Sequence, residues 1–303
     1  LSFATFRMNR EVFADNPDID AVIAEPMTLG ELMEADYYFE FRDGGNLISE
    51  MHMTDFYLRG MGIDPAAVLD KRPVLSEGFQ GDPQTVEMLT QQRTGYRKMI
   101  YLNGLASDRM RDLSPGTLQV FPGLFPDVLF VLPTLYDDRC RERGLSRPEF
   151  HSPNVLRFDS RGSTWRYVTA IACCDGVVST DSSAYHIAAA LGKPRMALFG
   201  PIPSALRTNY YPAVVALDAA YRGQTCASPC GKSMLSEFSS EKADREGRCP
   251  EAILKGEDFS PCLSSFSEAA LLGTLEGLLA QPSHLSCQWP SPTAGRVRTG
   301  SHG

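Results

Sequence analysis

The feature that most restricts this chain is the segment VVSTDSSAYHIAAALGKPRMALFGP, residues 177–201. An apolar run ends abruptly in Ser-Thr-Asp-Ser-Ser. A helix-like stretch with one histidine follows, and a second apolar run ends in Phe-Gly-Pro. Two short apolar runs bracketing a helical pattern closed by Gly192 read as strand–helix–strand, a unit that pairs its strands in parallel through a crossover. In an open parallel sheet, ligands bind beyond the carboxyl ends of the strands, where strand order reverses. Asp181, Ser182 and Ser183 stand in such a position. They precede a helix whose first N–H groups lack intrahelical partners and carry partial positive charge. Small hydroxyl residues let a phosphate approach that backbone, and His186 lies one turn further in. The same residues also serve as ordinary helix caps, and the segment by itself leaves both readings open.

The rest of the chain repeats the rhythm. The first residues read as a helix, with a strand at 21–24, a strand at Asp36–Phe41 and helical spacing from Asn46 to a stop at Gly60 and Gly62. A stretch rich in Pro, Gly and charge follows, and a second cycle begins at Arg97. KMIYLNGL, a run within LFPDVLFVLP, SPNVLRF, GVVST and PRMALFG read as strands, and TWRYVTAIACC as a helix. Strands alternating with helices predict an α/β protein with parallel, Rossmann-like sheets in two units facing a cleft. The expected division is 1–85, an N-terminal acceptor-side unit without its usual first strand; 95–280, a C-terminal ligand-binding unit; and a disordered, Ser/Pro/Gly-rich tail at 281–303.

Charge narrows the partners. A net charge of −8 and a pI near 5.2 argue against a nucleic-acid groove, which needs clustered Lys and Arg. No apolar run reaches the roughly 20 residues of a membrane span, and the charged opening LSFATFRMNREVF does not read as a secretory signal. The expectation is a cytoplasmic protein without a transmembrane segment; an oligomer is compatible with the sequence.

Segment 177–201 resembles the signature of glycosyltransferase family 9, the ADP-heptose:lipopolysaccharide heptosyltransferases. Asp181, Ser182, Ser183 and His186 match that family's Asp, Thr, Gly and His, and Lys193-Pro194 and Phe199-Gly200-Pro201 match the remainder. NREVFADNPDIDAVI and IYLNGLASDRMRDLSP extend the resemblance more weakly in both directions. It implies a GT-B fold with two Rossmann-like domains. It also implies a nucleotide-diphosphate sugar, ADP-heptose-like, bound chiefly by the C-terminal domain, and a saccharide or protein acceptor. In the family a basic residue before a Pro contacts donor phosphates; Arg111 is the better match and Arg109 the alternative. An Arg suits a diphosphate because its planar fork makes paired, charge-assisted bonds. No Asp-x-Asp motif for a catalytic divalent metal stands out, since Asp18-Ile19-Asp20 falls in a turn. The family's general base is an Asp in a loop after the first strand, and this sequence starts beyond that point. The candidates within it are Asp43, in a turn, and Glu40.

Of eight cysteines, Cys226, Cys230, Cys249 and Cys262 gather in a polar region after the last strand, while the others read as core or incidental. Four thiolates can tie down such a loop by holding zinc or iron; four independent loop cysteines is the competing reading. Bacterial autotransporter heptosyltransferases are similar in carrying an iron-binding cysteine set here, which implies a structural iron or zinc. The function implied is an inverting glycosyltransferase. The alternatives are a non-catalytic donor-binding or scaffold relative and a GT-B sugar-nucleotide epimerase.

Overall fold

The computed structural model describes residues 2–6, 19–34, 50–75, 79, 81–150, 152–161, 163–234 and 249–282. The chain opens with β1 (Ser2–Phe6) and β2 (Ala21–Glu25), a parallel pair. The opening therefore forms a strand where the sequence reads as a helix. Its five residues pair one to one with Ala21–Glu25, from Ser2 opposite Ala21 to Phe6 opposite Glu25, so backbone pairing across the sequence gap sets the strand. Short helices α1 (Leu29–Met33) and α2 (Met53–Gly60) follow. The expected strand at Asp36–Phe41 and the tail beyond residue 282 lie outside the described residues.

The remainder is one six-stranded parallel sheet. In chain order its elements are α3 (Pro83–Gln92), β3 (Lys98–Asn103), α4 (Pro115–Leu124), β4 (Val128–Pro133), α5 (Leu135–Glu142) and β5 (Val155–Phe158). Next come α6 (Thr164–Cys173), β6 (Gly176–Thr180), α7 (Ser183–Ala190), β7 (Arg195–Phe199), α8 (Ala205–Thr208) and β8 (Val214–Asp218). The helices α9 (Pro250–Lys255) and α10 (Glu268–Leu279) complete it. Strand order is β5-β4-β3-β6-β7-β8, so the direction of winding reverses between β3 and β6.

The central strands are apolar along their length because helices cover both faces. Ile100, Leu102, Phe130, Leu132, Val178, Met196 and Leu198 pack toward α4 and α10. Their alternates Met99, Tyr101, Leu129, Val131 and Val177 pack toward α3, α6 and α7. This is the two-residue period of a strand expressed on two cores. The linker before α3 is pinned to α6. Phe79 stacks on Trp165 with centroids 4.7 Å apart, and the Asp82 N–H donates to Thr169 Oγ1 at 2.8 Å. Among the described residues no helix is long and apolar enough to cross a membrane.

Candidate functional site

The switch point between β3 and β6 is stitched by Asn103, the last residue of β3. Its Nδ2 donates to Leu105 O at 2.8 Å and to Ser182 Oγ at 2.9 Å, and lies 3.2 Å from Ser179 Oγ. Ser182 Oγ also lies 2.9 Å from Ser179 Oγ. The Ser182 hydroxyl is thus spent inside the protein, and it makes no cap bond to α7. The first N–H groups of α7 have no capping side chain, which leaves the positive end of the helix open for an anion. Ser183 is exposed at that end, its Oγ 3.0 Å from Tyr167 Oη.

Asp181 is buried and draws three groups around it. Arg111 Nη1 donates to Asp181 Oδ2 at 2.9 Å and to its carbonyl at 3.0 Å. Arg207 Nε lies 3.6 Å from the same Oδ2, and His186 Nε2 lies 3.9 Å from Oδ1. Arg111 comes from a short 3-10 turn, Arg109–Arg111, N-capped by Asp108. Behind it the fully buried Asp112 accepts the Ala106 N–H at 2.9 Å and ion-pairs with Arg143 at 2.9 Å and Arg139 at 3.2 Å. That pairing fixes the loop after β3, and Thr180 Oγ1 ties it to β6 by donating to Arg111 O at 2.6 Å. Arg109 points elsewhere, donating to Glu142 at 3.0 Å. Of the two expected phosphate-binding arginines, only Arg111 faces Asp181.

His186 Nδ1 lies 2.8 Å from Tyr211 Oη. Burial pushes its imidazole down to about 4; Asp181 pulls upward, and Arg207 and Arg111 push further down. Arg111 Nε is buried without a hydrogen-bond partner, an N–H that an incoming oxyanion would satisfy. Arg207 escaped the sequence reading. It lies in IPSALRTN, a Pro- and Ser-containing loop with no periodicity, and only the turn of α8 brings it back to Asp181.

Gly200, of the Phe-Gly-Pro, lets the segment carrying Cys262 pass under β7; a Cβ there would stand 2.7 Å from Cys262 Sγ. Cys226, Cys230, Cys249 and Cys262 do converge enough to act on one another electrostatically. Burial first, and then the other three thiols, push Cys262 up to about 12. Among the described residues no group of three or more His, Cys, Asp or Glu is arranged to hold a metal ion. Among the described residues six cysteines are free, and Cys173, which reads as core or incidental in the sequence, is disulfide-bonded. Asp43 and Glu40, the candidate bases, lie outside the described residues.

Residues 166–233, from α6 through the loop after β8, match the model of glycosyltransferase family 9 (heptosyltransferase). This is the family that the sequence resembles. The matched span contains Asp181, Ser182, Ser183, His186 and Arg207. Most of the chain is similar in fold to solved heptosyltransferases. Escherichia coli ADP-heptose lps heptosyltransferase II is 15% identical over 92% of this chain and 88% of its own, with a TM-score of 0.50. A glycosyl transferase family 9 protein from Veillonella parvula is 13% identical over 92% and 87%, with a TM-score of 0.52. The dodecameric iron-containing heptosyltransferase TibC, in complex with ADP-D-beta-D-heptose, is 13% identical over 85% of this chain and 63% of its own, with a TM-score of 0.55. These likenesses bear out the GT-B expectation. No curated protein sequence matches.

Proposed function

We propose that this chain is an inverting glycosyltransferase that moves a sugar from a nucleoside-diphosphate donor to a hydroxyl of a saccharide or protein acceptor. The observation that carries the reading is the gathering of cationic groups at the switch point. Two arginines, Arg111 and Arg207, face one carboxylate, Asp181, beside an uncapped helix N-terminus. A diphosphate leaving group develops negative charge as the glycosidic bond breaks, and groups fixed to meet that charge lower the barrier. Arg111 supplies the fork, Arg207 the second cation, and the α7 backbone the N–H groups. A charge-assisted hydrogen bond of this kind contributes about 1.5–3 kcal/mol.

Asp181 holds Arg111 in place before the donor arrives. It then competes with the phosphate for the guanidinium, which keeps product release from becoming too slow. The acceptor proton must go to a base outside this cluster, because Asp181 is buried and fully engaged. Asp43 and Glu40 remain the proposed candidates. The family match and the ADP-D-beta-D-heptose held by TibC make an ADP-linked heptose the first sugar to test.

The test is thermal stabilisation by ADP-, GDP-, UDP- and CMP-linked sugars, followed by the anomeric configuration of any product. A ligand that binds only the native state raises its melting temperature by mass action. One nucleotide class should stabilise the chain, with an inverted product once an acceptor is supplied. No shift with any of the four would leave the cluster as a structural ion pair under a capped strand end and would remove the proposal.

A further inference from the structure

His52 caps the N-terminus of α2 in the N-terminal segment, far in sequence from Asp181, yet its ring packs against the Tyr210–Tyr211 pair beside His186. Its centroid is 4.1 Å from that of Tyr210 and 6.3 Å from that of Tyr211, whose hydroxyl bonds His186. The placement of α2 is held by Asp55, which pairs with Lys71 at 2.7 Å and accepts from Tyr210 Oη at 2.6 Å. His52 is 5% exposed. Its Nδ1 accepts the Thr54 N–H at 3.2 Å, so in the neutral ring the proton resides on Nε2. Burial, aided by the Arg207 and Lys71 charges and opposed by Asp55 and the Arg207 backbone, pushes this imidazole down to about 4, which keeps it neutral.

Nε2–H is therefore a buried donor, and it has no hydrogen-bond partner. The Arg207 backbone lies near enough to favour the protonated ring, yet its carbonyl already accepts Tyr185 Oη at 2.7 Å and Nε2 makes no hydrogen bond of good geometry. An unmet buried N–H is costly; of the charged side chains acting on it, Arg207 and Lys71 are cations that cannot accept its hydrogen, and Asp55 is already bonded to Lys71 and Tyr210. Arg111 Nε in the same neighbourhood is likewise unmet. Both act electrostatically on His186, as does Arg207. Two orphan donors among cations call for an oxyanion.

We infer that His52 is a donor-binding residue contributed by the N-terminal segment, its Nε2–H bonding a phosphate oxygen of the nucleoside diphosphate held by Arg111 and Arg207. The inference rests on the donor-site reading above. It also links the two parts of the chain: the donor binds best when α2 is docked against the loop at Tyr210 and Tyr211.

The experiment is calorimetric titration of ADP, GDP, UDP and CDP into the full chain, its His52→Phe and His52→Gln variants, and an Arg111→Ala control. Phe keeps an aromatic ring against Tyr210 and loses the donor; Gln places an amide N–H near Nε2. For the diphosphate that wild type binds, His52→Phe should raise the Kd about tenfold, and His52→Gln should stay within about threefold of wild type. Wild-type affinity in His52→Phe, or a loss in His52→Gln as large as in His52→Phe, would make the residue a packing element and overturn the inference. If Arg111→Ala weakens binding while both His52 variants match wild type, the donor reading stands and only this inference falls. If wild type binds none of the four, both fall together.

Discussion

Replacing Asp181 by Asn isolates the charge balance on which the functional reading depends. The substitution keeps the shape and leaves the bond from Arg111 to the residue 181 carbonyl in place. It removes the negative charge that Arg111 meets at 2.9 Å and Arg207 at 3.6 Å. The side chains of Asp181 and Arg207 are 4% and 3% exposed and that of Arg111 is 15% exposed, so solvent does little to compensate. Removing one partner of a buried pair costs about 3–5 kcal/mol, because the remaining charge is stranded. The partial exposure of Arg111 places the expected cost near the lower end, about 3 kcal/mol. For a chain of this size that lowers the melting temperature by roughly 5–10 °C. Differential scanning fluorimetry with added inorganic pyrophosphate then separates structure from function. If Arg111 and Arg207 form an anion site, pyrophosphate should stabilise Asp181→Asn more than wild type, since Asp181 no longer competes for the same guanidinium. A melting temperature within about 1–2 °C of wild type, with no added response to pyrophosphate, would refute the reasoning about magnitude and site alike.

Three further outcomes follow from the same geometry. The folded-state pKa of His186 lies below its ordinary value, so its contribution to stability is fully present above about 6.5 and is lost as pH falls toward about 4. An NMR titration should find its imidazole neutral at pH 6, and a midpoint at or above 6.5 would contradict the described surroundings. Glu251 accepts from Thr225 Oγ1 and N–H at 2.6 and 2.7 Å, from the Gln224 N–H at 2.9 Å and from Tyr221 Oη at 3.1 Å. These bonds hold its carboxyl down to about 2, so loop 221–226 should loosen as pH drops from about 4.5 to 2. Hydrogen exchange should show that acid-dependent opening in wild type, and Glu251→Gln should show the loop already loosened at pH 7. Phe79→Ala removes the ring stacked on Trp165 and should cost about 3 kcal/mol; limited proteolysis should then cut the linker before α3 faster, and unchanged cleavage would mean the stack does not anchor it.

Where both faces of a strand are covered, the sequence announced it. The β3, β4, β6 and β7 runs are apolar at nearly every position and almost wholly buried, and each was legible. The edge strand β8, VVALD, is only partly buried and ends in a charge, and it is not among the strands read from the sequence. Helix α3, PQTVEMLTQQ, buries only Thr85 and Leu89; its polar surface merges with the linker before it, although Asp82 and Pro83 form a cap and first turn that could have been read. Helix α5, LYDDRCRE, is mostly charge and buries only Tyr136, Asp137 and Cys140. At the site, Asp181, His186 and Arg111 come together as the pattern suggested. Ser182 was expected to offer its hydroxyl outward, but Asn103, which no motif marks, turns it inward. Arg207 and His52 were missed for one reason. Each reaches the site through tertiary packing, from a loop and from a helix cap, and local sequence periodicity carries no record of such contacts.

The central claim is that Arg111 and its surroundings bind the diphosphate of a nucleotide sugar. The most direct measurement is the equilibrium affinity of that diphosphate for wild type and for Arg111→Ala, both shown to be folded, by calorimetry at moderate salt. The account predicts a rise in Kd of at least about tenfold in the variant, the loss of one charge-assisted contact. Equal affinity in the two proteins would contradict it, because a diphosphate that binds without Arg111 does not occupy the switch point between β3 and β6.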